Sequence, residues 1–472
     1  MLSKKFFSTF LICFSIIFLY SQENDIFLIY KLCLSALENN SDIKVAEKSY
    51  NSAILSEKSA NGFFSPSISI LSSTTVPNNY EWNKSPDSFT TGIIYTQPIF
   101  SGTSIGITGN YSYSITELEK ERFILQNPQI TFKLTQSLFP FWIQGSIKDP
   151  NLLSLKKQTE YLYNQLLYTR QKIIQELIQN YIYAKIEQNN IQMIKNSIEL
   201  TTKQISAQYE LKKLGKTNLS KISELENIKW SYQQDLLSSE LNRKSYLKKI
   251  MNLTEQNIWD NDLFNKEQLI TDLEFEKLIS FIRSITNCDY DTYEKALLIK
   301  IEIEKTSMIY LKQESAPIFE VSVQPLWNLD QQKVTNWKES WNTSNHPSSW
   351  NVGITVNLSP LFNIGFGNDI KKKKLELESA QNVYNSYLKQ KQFIKNQYES
   401  YITDYEENYK TITKLINDFK IQLNDIKIEL EQGQISQIDY ETFNVQVKNM
   451  ILTSDCLQLY IFLYKIMKEL LN

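Results

Sequence analysis

The sequence predicts a mixed fold, in which long antiparallel helical hairpins are combined with membrane-type β-strands. Two very long stretches of helical pattern each run into a glycine, and each is preceded by segments that alternate apolar and polar residues. Pro140 and Gly215 in the first half match Pro360 and Gly433 in the second half at nearly equal intervals. Repetition of such a unit indicates an internal tandem duplication.

The N-terminal segment resembles an export signal. Lys4 and Lys5 precede an apolar run, Phe6–Tyr20, and the chain turns polar at Ser21. A basic front and a short apolar run are typical of a secretory signal peptide, so we expect residues 1–21 to be one. An uncleaved membrane anchor is the alternative, although the run is short for a membrane-spanning helix.

Composition and motifs argue against an enzyme. The net charge of −2 gives no general attraction to nucleic acid. The single histidine, His346, precedes a proline, and no hydrolase, metalloprotease or nucleotide-binding motif is found. The cysteines are far apart without a Cys-x-x-Cys, which disfavours a disulfide framework or zinc site: Cys13, Cys33, Cys288 and Cys456. We therefore expect no enzymatic activity, no cofactor and no metal; lipidation of Cys13 is left open.

The helical stretches form the largest elements. A helix from about Leu152 to Lys213 would be roughly 90 Å long, and Asp369–Glu431 is similar. Apolar residues of the second stretch follow a coiled-coil spacing: Ile412, Ile416, Phe419, Leu423, Ile426 and Leu430. A long helix of this type needs a long partner, and the helices after Gly215 and Gly433 are expected to return antiparallel.

The β-segments alternate strictly. Examples are Ile105–Ile115, Ile130–Leu138 and Trp350–Leu358. Such a strand carries apolar side chains on one face and small polar ones on the other. A half-buried strand of a soluble sandwich is one interpretation. A lipid-facing barrel strand is the other, and it is favoured because each run is about 10 residues long and aromatic residues cluster at the run ends.

These observations predict three regions after the signal. Repeat 1 (22–252) contains a helix, strands at about 66–140, and a helical hairpin at about 152–251 with its tip at 215. An irregular equatorial segment (253–288) follows it. Repeat 2 (289–472) contains a helix, strands at about 317–360, and a helical hairpin at about 367–471 with its tip at 433. The β-section of repeat 1 is longer by one extra hairpin near 89–115. The sequence leaves open whether this hairpin lengthens the barrel wall or folds outside it.

Local motifs carry a family resemblance. Ser359–Gly365 (SPLFNIG) resembles a strand-to-helix turn that Gln97–Gly102 echoes, and Gly215–Ser220 and Gly433–Asp439 resemble hairpin tips. The order of signal, helix, strands, long helix, turn and shorter helix, with its repetition, resembles the TolC-type outer-membrane efflux protein family. The similarity covers nearly the whole chain after the signal.

The resemblance implies a homotrimer in the outer membrane. Four strands from each chain would close a 12-stranded barrel, and the helices would form a hollow α-barrel tunnel in the periplasm. It implies passive export of small molecules or proteins as the exit duct of a tripartite efflux or type I secretion system. The partners implied are a periplasmic adaptor, an inner-membrane pump of ABC, RND or MFS type, and outer-membrane lipid, with no nucleic acid. The cargo and the pump type are left open.

The resemblance also assigns roles to residues. Asp439 matches an acidic gate position, and Thr442 stands where the family has a second acid. The remaining assignments are the adaptor-docking tips Leu214, Gly215, Leu219, Gly433, Ile435 and Ser436, and the strand-to-helix turns Pro140, Pro360 and Gly365. An exported coiled-coil structural or adhesive protein without a channel is the alternative function.

Overall fold

The computed structural model describes the chain in eleven ranges, and all structural statements below refer to them. They are 25–60, 65–75, 88–98, 103–118, 121–139, 150–255, 272–286, 291–314, 318–328, 349–358 and 364–471. The predicted signal peptide, Pro140, Pro360 and His346 lie outside the described residues.

Eight helices and six strands are described. The helices are α1 Asp25–Asn39, α2 Ser41–Ala60, α3 Pro150–Lys213, α4 Leu219–Thr254, α5 Asp272–Thr286, α6 Thr292–Glu314, α7 Ile364–Glu431 and α8 Gln437–Glu469. The strands are β1 Ser67–Thr75, β2 Ser88–Pro98, β3 Thr103–Leu118, β4 Glu121–Phe139, β5 Ile318–Asn328 and β6 Ser349–Asn357. The two predicted hairpins, α3–α4 and α7–α8, are confirmed, and so is the mixed fold class.

Two helices, α1 and α2, stand where the sequence predicts one helix at the start of repeat 1. Asn40 separates α1 from α2 because its side-chain oxygen accepts hydrogen bonds from the backbone N–H groups of Asp42 (3.0 Å) and Ile43 (3.3 Å). An asparagine that bonds to the backbone in this way starts a new helix. Its amide nitrogen also donates to the Leu253 carbonyl (3.1 Å), which fixes the break against the end of α4.

The segment expected to be irregular, 253–288, contains helix α5. Leu278, Ile279 and Ile282 of α5 are buried, and this spacing puts them on one helical face. The ring of Phe281 lies 4.1 Å from that of Tyr30 in α1, and Arg283 forms an ion pair with Glu469 of α8 (2.9 Å). Tertiary contacts thus stabilise a short helix that the polar sequence around it did not predict.

The chain divides into two compact units. Unit 1 comprises Met1–Lys48, Asn164–Lys295 and Ser386–Asn472, and unit 2 comprises Ser49–Tyr163 and Ala296–Asn385.

The apolar core of unit 1 lies between its helices. Fully buried residues include Tyr181, Ile174, Leu177, Ile178 and Leu463. Helix α7 packs on α8 through stacked tyrosines, with the Tyr405 ring 5.0 Å from Tyr460 and 5.8 Å from Tyr464. Helix α8 is long and apolar enough to cross a membrane by length and composition alone. Such a helix is weak evidence for a membrane span, because a core helix passes the same test and α8 contributes buried residues to this core.

Helix α6 packs against the stretch of α7 that α8 does not reach. Asp291, which caps α6, accepts a hydrogen bond from Tyr387 (2.5 Å) and forms an ion pair with Lys391 (2.9 Å). Within unit 2, Lys373 of α7 pairs with the buried Glu304 of α6 (3.3 Å). Burial and the hydrogen bond to Asp291 together raise the pKa of Tyr387.

Unit 2 contains one antiparallel sheet with the strand order β1-β2-β3-β4-β5-β6. Six strands therefore lie in one sheet, two more than the four per chain that the family resemblance implies. The extra hairpin near 89–115 is β2–β3, and it is inserted between β1 and β4. The sheet is regular apart from a bulge in β4 at Ser137/Phe139.

Candidate functional site

The tips of the two helical hairpins share one backbone geometry. The N–H groups of Gly215 and Lys216 donate to the carbonyls of Lys212 and Leu211, both at 2.9 Å. In the second tip, Gly433 and Gln434 donate to the carbonyls of Leu430 (3.0 Å) and Glu429 (2.9 Å). This is the Schellman pattern, which requires a left-handed residue after the helix. Gly215 (φ +69°) and Gly433 (φ +72°) supply it.

Each return helix starts three residues after its glycine at a polar N-cap. Asn218 caps α4 by accepting from the Lys221 backbone N–H (3.1 Å). Ser436 caps α8 by accepting from the Asp439 N–H (3.2 Å). The Asp439 carboxylate in turn accepts from the Ser436 N–H (3.3 Å) and hydroxyl (2.6 Å). The second tip therefore has a complete capping box.

The gate candidate Asp439 is thus part of the local structure of its tip. Its carboxylate is exposed to solvent and bonded to Ser436, its neighbour in the same turn. The equivalent position in the first tip is Lys221, whose side chain cannot accept a hydrogen bond. A gating role for Asp439 remains a prediction, and its carboxylate would have to act while it also caps α8.

Two side-chain contacts join α3 of the first hairpin to α8 of the second, close to the tips. Lys203 forms an ion pair with Glu441 (3.0 Å). Gln204 donates from Nε2 to the Thr442 hydroxyl (3.3 Å), and that hydroxyl donates to the Ile438 carbonyl (2.7 Å). Thr442, which departs from the family's acidic pattern, is therefore the gate candidate that contacts the other hairpin.

The α3–α8 seam continues away from the tips with further polar contacts. Asn196 donates to the Asn449 side chain (3.1 Å), and Asn449 donates to the Ser197 hydroxyl (3.3 Å). The Thr453 hydroxyl lies 3.4 Å from the Met193 sulfur. Polar side chains are more easily separated and rehydrated than packed apolar ones. The tip-proximal part of this seam is therefore held by polar side chains.

The charges at the seam shift each other's pKa. The pKa of Glu441 is lowered by a hydrogen bond from Gln437 and further by Lys203. The pKa of Lys203 is raised by Glu441 and by Glu199, which lies 3.0 Å away on α3. Both groups are consequently charged at neutral pH, and their contact is a salt bridge there.

The other predicted site residues are distributed as follows. Leu214 and Leu219 of the first tip are 67% and 59% exposed, whereas Ile435 of the second tip is half-buried. Gly365 lies in the first turn of α7, next to the predicted strand-to-helix turn. The sequence analysis did not identify Lys203 and Gln204 as contacts of α8. The one signal near them is the i, i+4 pair Glu199–Lys203, which indicates only an exposed helix face.

Over the eleven described ranges, no cluster of three His, Cys, Asp or Glu side chains is arranged to hold a metal ion. Cys33 and Cys456 are buried thiols, and burial raises their pKa to about 12 and about 11. Thiols with so high a pKa are unreactive near neutral pH.

Comparison with solved structures identifies the architecture. The chain matches the outer-membrane channel OprN with a TM-score of 0.59 at 12% identity, over 94% of this chain and 89% of that one. It matches the outer membrane protein VceC of Vibrio cholerae with a TM-score of 0.60 at 13% identity, over 93% and 96%. The chain has the TolC-type fold. The CmeC outer membrane channel of Campylobacter jejuni gives 0.57 at 14% identity, over 94% and 84%.

Sequence comparison alone does not detect this relationship. No protein-family model matches the chain, and no curated protein matches it. The TolC-type fold therefore rests on the structure and on the order of elements.

Proposed function

We propose that the protein is the outer-membrane exit duct of a multi-component export system. In this role it passes small molecules or proteins passively across the periplasm and the outer membrane. The observation that carries the proposal is the sheet of unit 2, in which one face is apolar and exposed. Ile70, Val352 and Ile354 on that face are 73%, 67% and 74% exposed. A sheet with such a face is stable when that face contacts lipid.

Trimer formation is supported by the two open edges of the same sheet. Strands β1 and β6 are its edges, and unpaired backbone groups are not tolerated in a bilayer. The long helices also expose large apolar residues, including Trp230 (64%) and Leu237 (53%) on α4 and Phe393 (68%) and Ile421 (65%) on α7. Packing against two further copies would cover these residues.

Fractionation tests the location and the assembly together. An exit duct should remain with outer membranes through carbonate washing and should migrate as a trimer on an unheated gel. Release as a soluble monomer would overturn the proposal and favour the coiled-coil structural protein.

A matched pair of variants tests the helix faces. Trp230→Ser should lower the fraction of trimer, because it removes a large exposed aromatic from the proposed contact. Glu224→Ser on the same helix removes an exposed charge of α4 and should leave the trimer unchanged. Equal effects of the two variants would place the subunit contact elsewhere.

Gating is proposed at the helix tips. The supporting geometry is that Lys203–Glu441 and Gln204–Thr442 join the two hairpins there, so separating them opens the seam. In planar bilayers, the double variant Lys203→Met/Thr442→Val should raise the conductance or the open fraction. Asp439→Ala tests the acidic position, and unchanged conductance and cation block would remove it from the gate. Glu407→Ala, a charge change on α7 away from the tips, is the control.

The tips are also proposed to dock a periplasmic adaptor that is linked to an inner-membrane pump of ABC, RND or MFS type. Leu214 and Leu219 support this because they are exposed apolar residues at the first tip. A photo-crosslinking residue at Leu214 should capture the adaptor in whole cells. The same residue at Thr411, an exposed position of α7 roughly 30 Å from the second tip, should not. Capture at both positions or at neither would contradict docking at the tips.

A further inference from the structure

The extra hairpin β2–β3 is part of the sheet on both of its sides. Strand β1 pairs with β2 from Ser67 opposite Thr96 to Thr75 opposite Ser88. Strand β3 pairs with β4 from Thr103 opposite Gln136 to the tip, where Leu118 faces Glu121. The hairpin therefore separates the two strands that a four-stranded chain would pair directly.

The apolar face continues across the hairpin, where Thr91, Gln97, Thr103 and Gly109 are its exceptions. One row of directly paired residues crosses the first four strands: Ile68, Tyr95, Ile107 and Phe132. A second row crosses the last four: Ile105, Leu134, Val323 and Val352. Ile107 is 44% exposed and Ile93, beside it on β2, is 56% exposed. These residues face the same side as Ile70 and Val352, so β2 and β3 present the same surface to lipid as the other strands.

The opposite face is polar over the same hairpin. Thr90 and Thr96 of β2 and Ser104, Thr108 and Asn110 of β3 occupy it. Leu71 and Ile94 are apolar exceptions, and among the side chains described on this face Lys133 is the one charge. A hairpin folded outside the wall, or plugging a lumen, has no need for this alternation, which matches a barrel wall between lipid and water.

The edges of the sheet suit closure by further copies of the chain. Edge strands β1 and β6 are each 9 residues long. They run in opposite directions, because six antiparallel strands alternate, so β6 of one copy can pair antiparallel with β1 of the next. Both edges carry apolar residues on the lipid face, including Ile68 and Ile354. Head-to-tail pairing of this kind closes into a ring.

We infer that the extra hairpin widens the barrel wall, so that three copies close an 18-stranded barrel. The inference rests on the trimeric exit duct proposed above. Barrel diameter grows about linearly with strand number, so the wall would be about 36 Å across the backbone, against about 24 Å for 12 strands tilted by about 40°. The lumen would be lined mainly by small polar side chains, with Lys133 as a charge and Leu71 and Ile94 as apolar exceptions, and would be wide enough for a solvated protein segment.

The test compares barrel radii in the assembled protein. In one variant, Val76–Ile124 is replaced by Asn-Gly, which joins Thr75 to Leu125 and removes β2 and β3. Thr75 and Leu125 lie level in the sheet, since Thr75 pairs with Ser88, Ser88 with Ser114, and Ser114 with Leu125. In the control, Ile115–Ile124 is replaced by the same Asn-Gly, which shortens the β3–β4 hairpin and keeps six strands.

A nitroxide at Val352→Cys, in a Cys288→Ser background, reports the distance between copies; the native Cys33 and Cys456 are buried. The inter-copy distance should be about 1.5-fold longer in the full chain and the control than in the four-stranded variant. Equal distances in all three proteins would overturn the wider barrel. A monomeric mass with no inter-copy distance in the full chain would instead overturn the proposed trimer.

A second measurement on the full chain does not depend on folding of the deletion variant. A fluorophore at Ile93→Cys or Ile107→Cys should be quenched by brominated lipid as strongly as one at Val352→Cys, and one at Thr108→Cys should be quenched several-fold less. Quenching at Val352→Cys without quenching at Ile93→Cys and Ile107→Cys would place the hairpin outside the wall.

Discussion

The two hairpin tips have the same backbone turn and differ in the side chains that hold it. Gly215 and Gly433 adopt the same left-handed geometry, and each return helix has a polar cap at the same distance. At the third helical residue the first tip has Lys221 and the second has Asp439, which completes a capping box. The turn is therefore set by glycine, and the strength of the following helix start is set separately by the cap. The side chains of a tip can therefore vary while its backbone turn stays the same.

The largest expected effect tests the shared part of this comparison. Gly215→Ala and Gly433→Ala should each destabilise their tip by about 1–2 kcal/mol, because a side chain disfavours the left-handed conformation. A Cβ would meet nothing within 4 Å at either glycine, so the cost is that of the backbone alone and should be equal. Amide hydrogen exchange of the tip segments measures it. Gly367→Ala, within helix α7 and also in open space, is the control and should not destabilise.

The second prediction concerns the caps. Ser436→Ala should destabilise the start of α8 by about 1 kcal/mol, and Asn218→Ala should cost the start of α4 less. The difference arises because Ser436→Ala also removes the hydroxyl that donates to the Asp439 carboxylate. Hydrogen exchange of the first turns of α4 and α8 compares the two. Ser436→Thr keeps the hydroxyl and should be nearly neutral; equal losses at the two caps would mean that the capping box adds nothing.

The sequence predicted the hairpins because the signals that start and end their helices are local. A long stretch without glycine or proline allows a helix to continue, and the glycine at each tip ends it, whatever surrounds them. The break at Asn40 was missed although asparagine is a good N-cap. In this protein the break also depends on the Leu253 carbonyl, which lies far away in sequence. Helix α5 was missed for the same reason, since α1 and α8 stabilise it.

The contacts between hairpins could not be predicted from the sequence. The pairs Lys203–Glu441 and Gln204–Thr442 require the relative rotation and register of two long helices, and heptad patterns do not determine these between elements distant in the chain. The extra strands were predicted from alternation, but their place in the sheet required the pairing of β1 with β2 and of β3 with β4. The sequence pattern thus predicts which helices and strands form, whereas contacts between residues distant in the chain determine where they lie.

The third prediction exchanges the residues that differ between the tips, Lys221 and Asp439. Lys221→Asp places an acid at the third residue of α4, next to the cap Asn218, and should stabilise that helix start by about 0.3–1 kcal/mol through the helix dipole. The reciprocal Asp439→Lys should destabilise α8 by a similar or larger amount. Hydrogen exchange of the two helix starts measures both. Glu224→Lys, one turn further along α4, is the charge control; no gain from Lys221→Asp would mean that the two caps are not equivalent.

The smallest expected effect is a pH dependence of the α3–α8 seam near the second tip. Because Gln437 and Lys203 lower the pKa of Glu441 in the folded protein, its carboxylate stabilises the seam fully above the ordinary glutamate range. That contribution is lost as the pH falls through the lowered folded pKa. Hydrogen exchange of the start of α8 should therefore become faster on acidification relative to Glu441→Gln at the same pH, a ratio that cancels the intrinsic pH dependence of exchange. Glu224→Gln, a carboxylate change outside the seam, should show no such trend. If the ratio for Glu441→Gln stays constant between neutral and acidic pH, the salt bridge does not hold the seam, and Gln204–Thr442 is the contact that does.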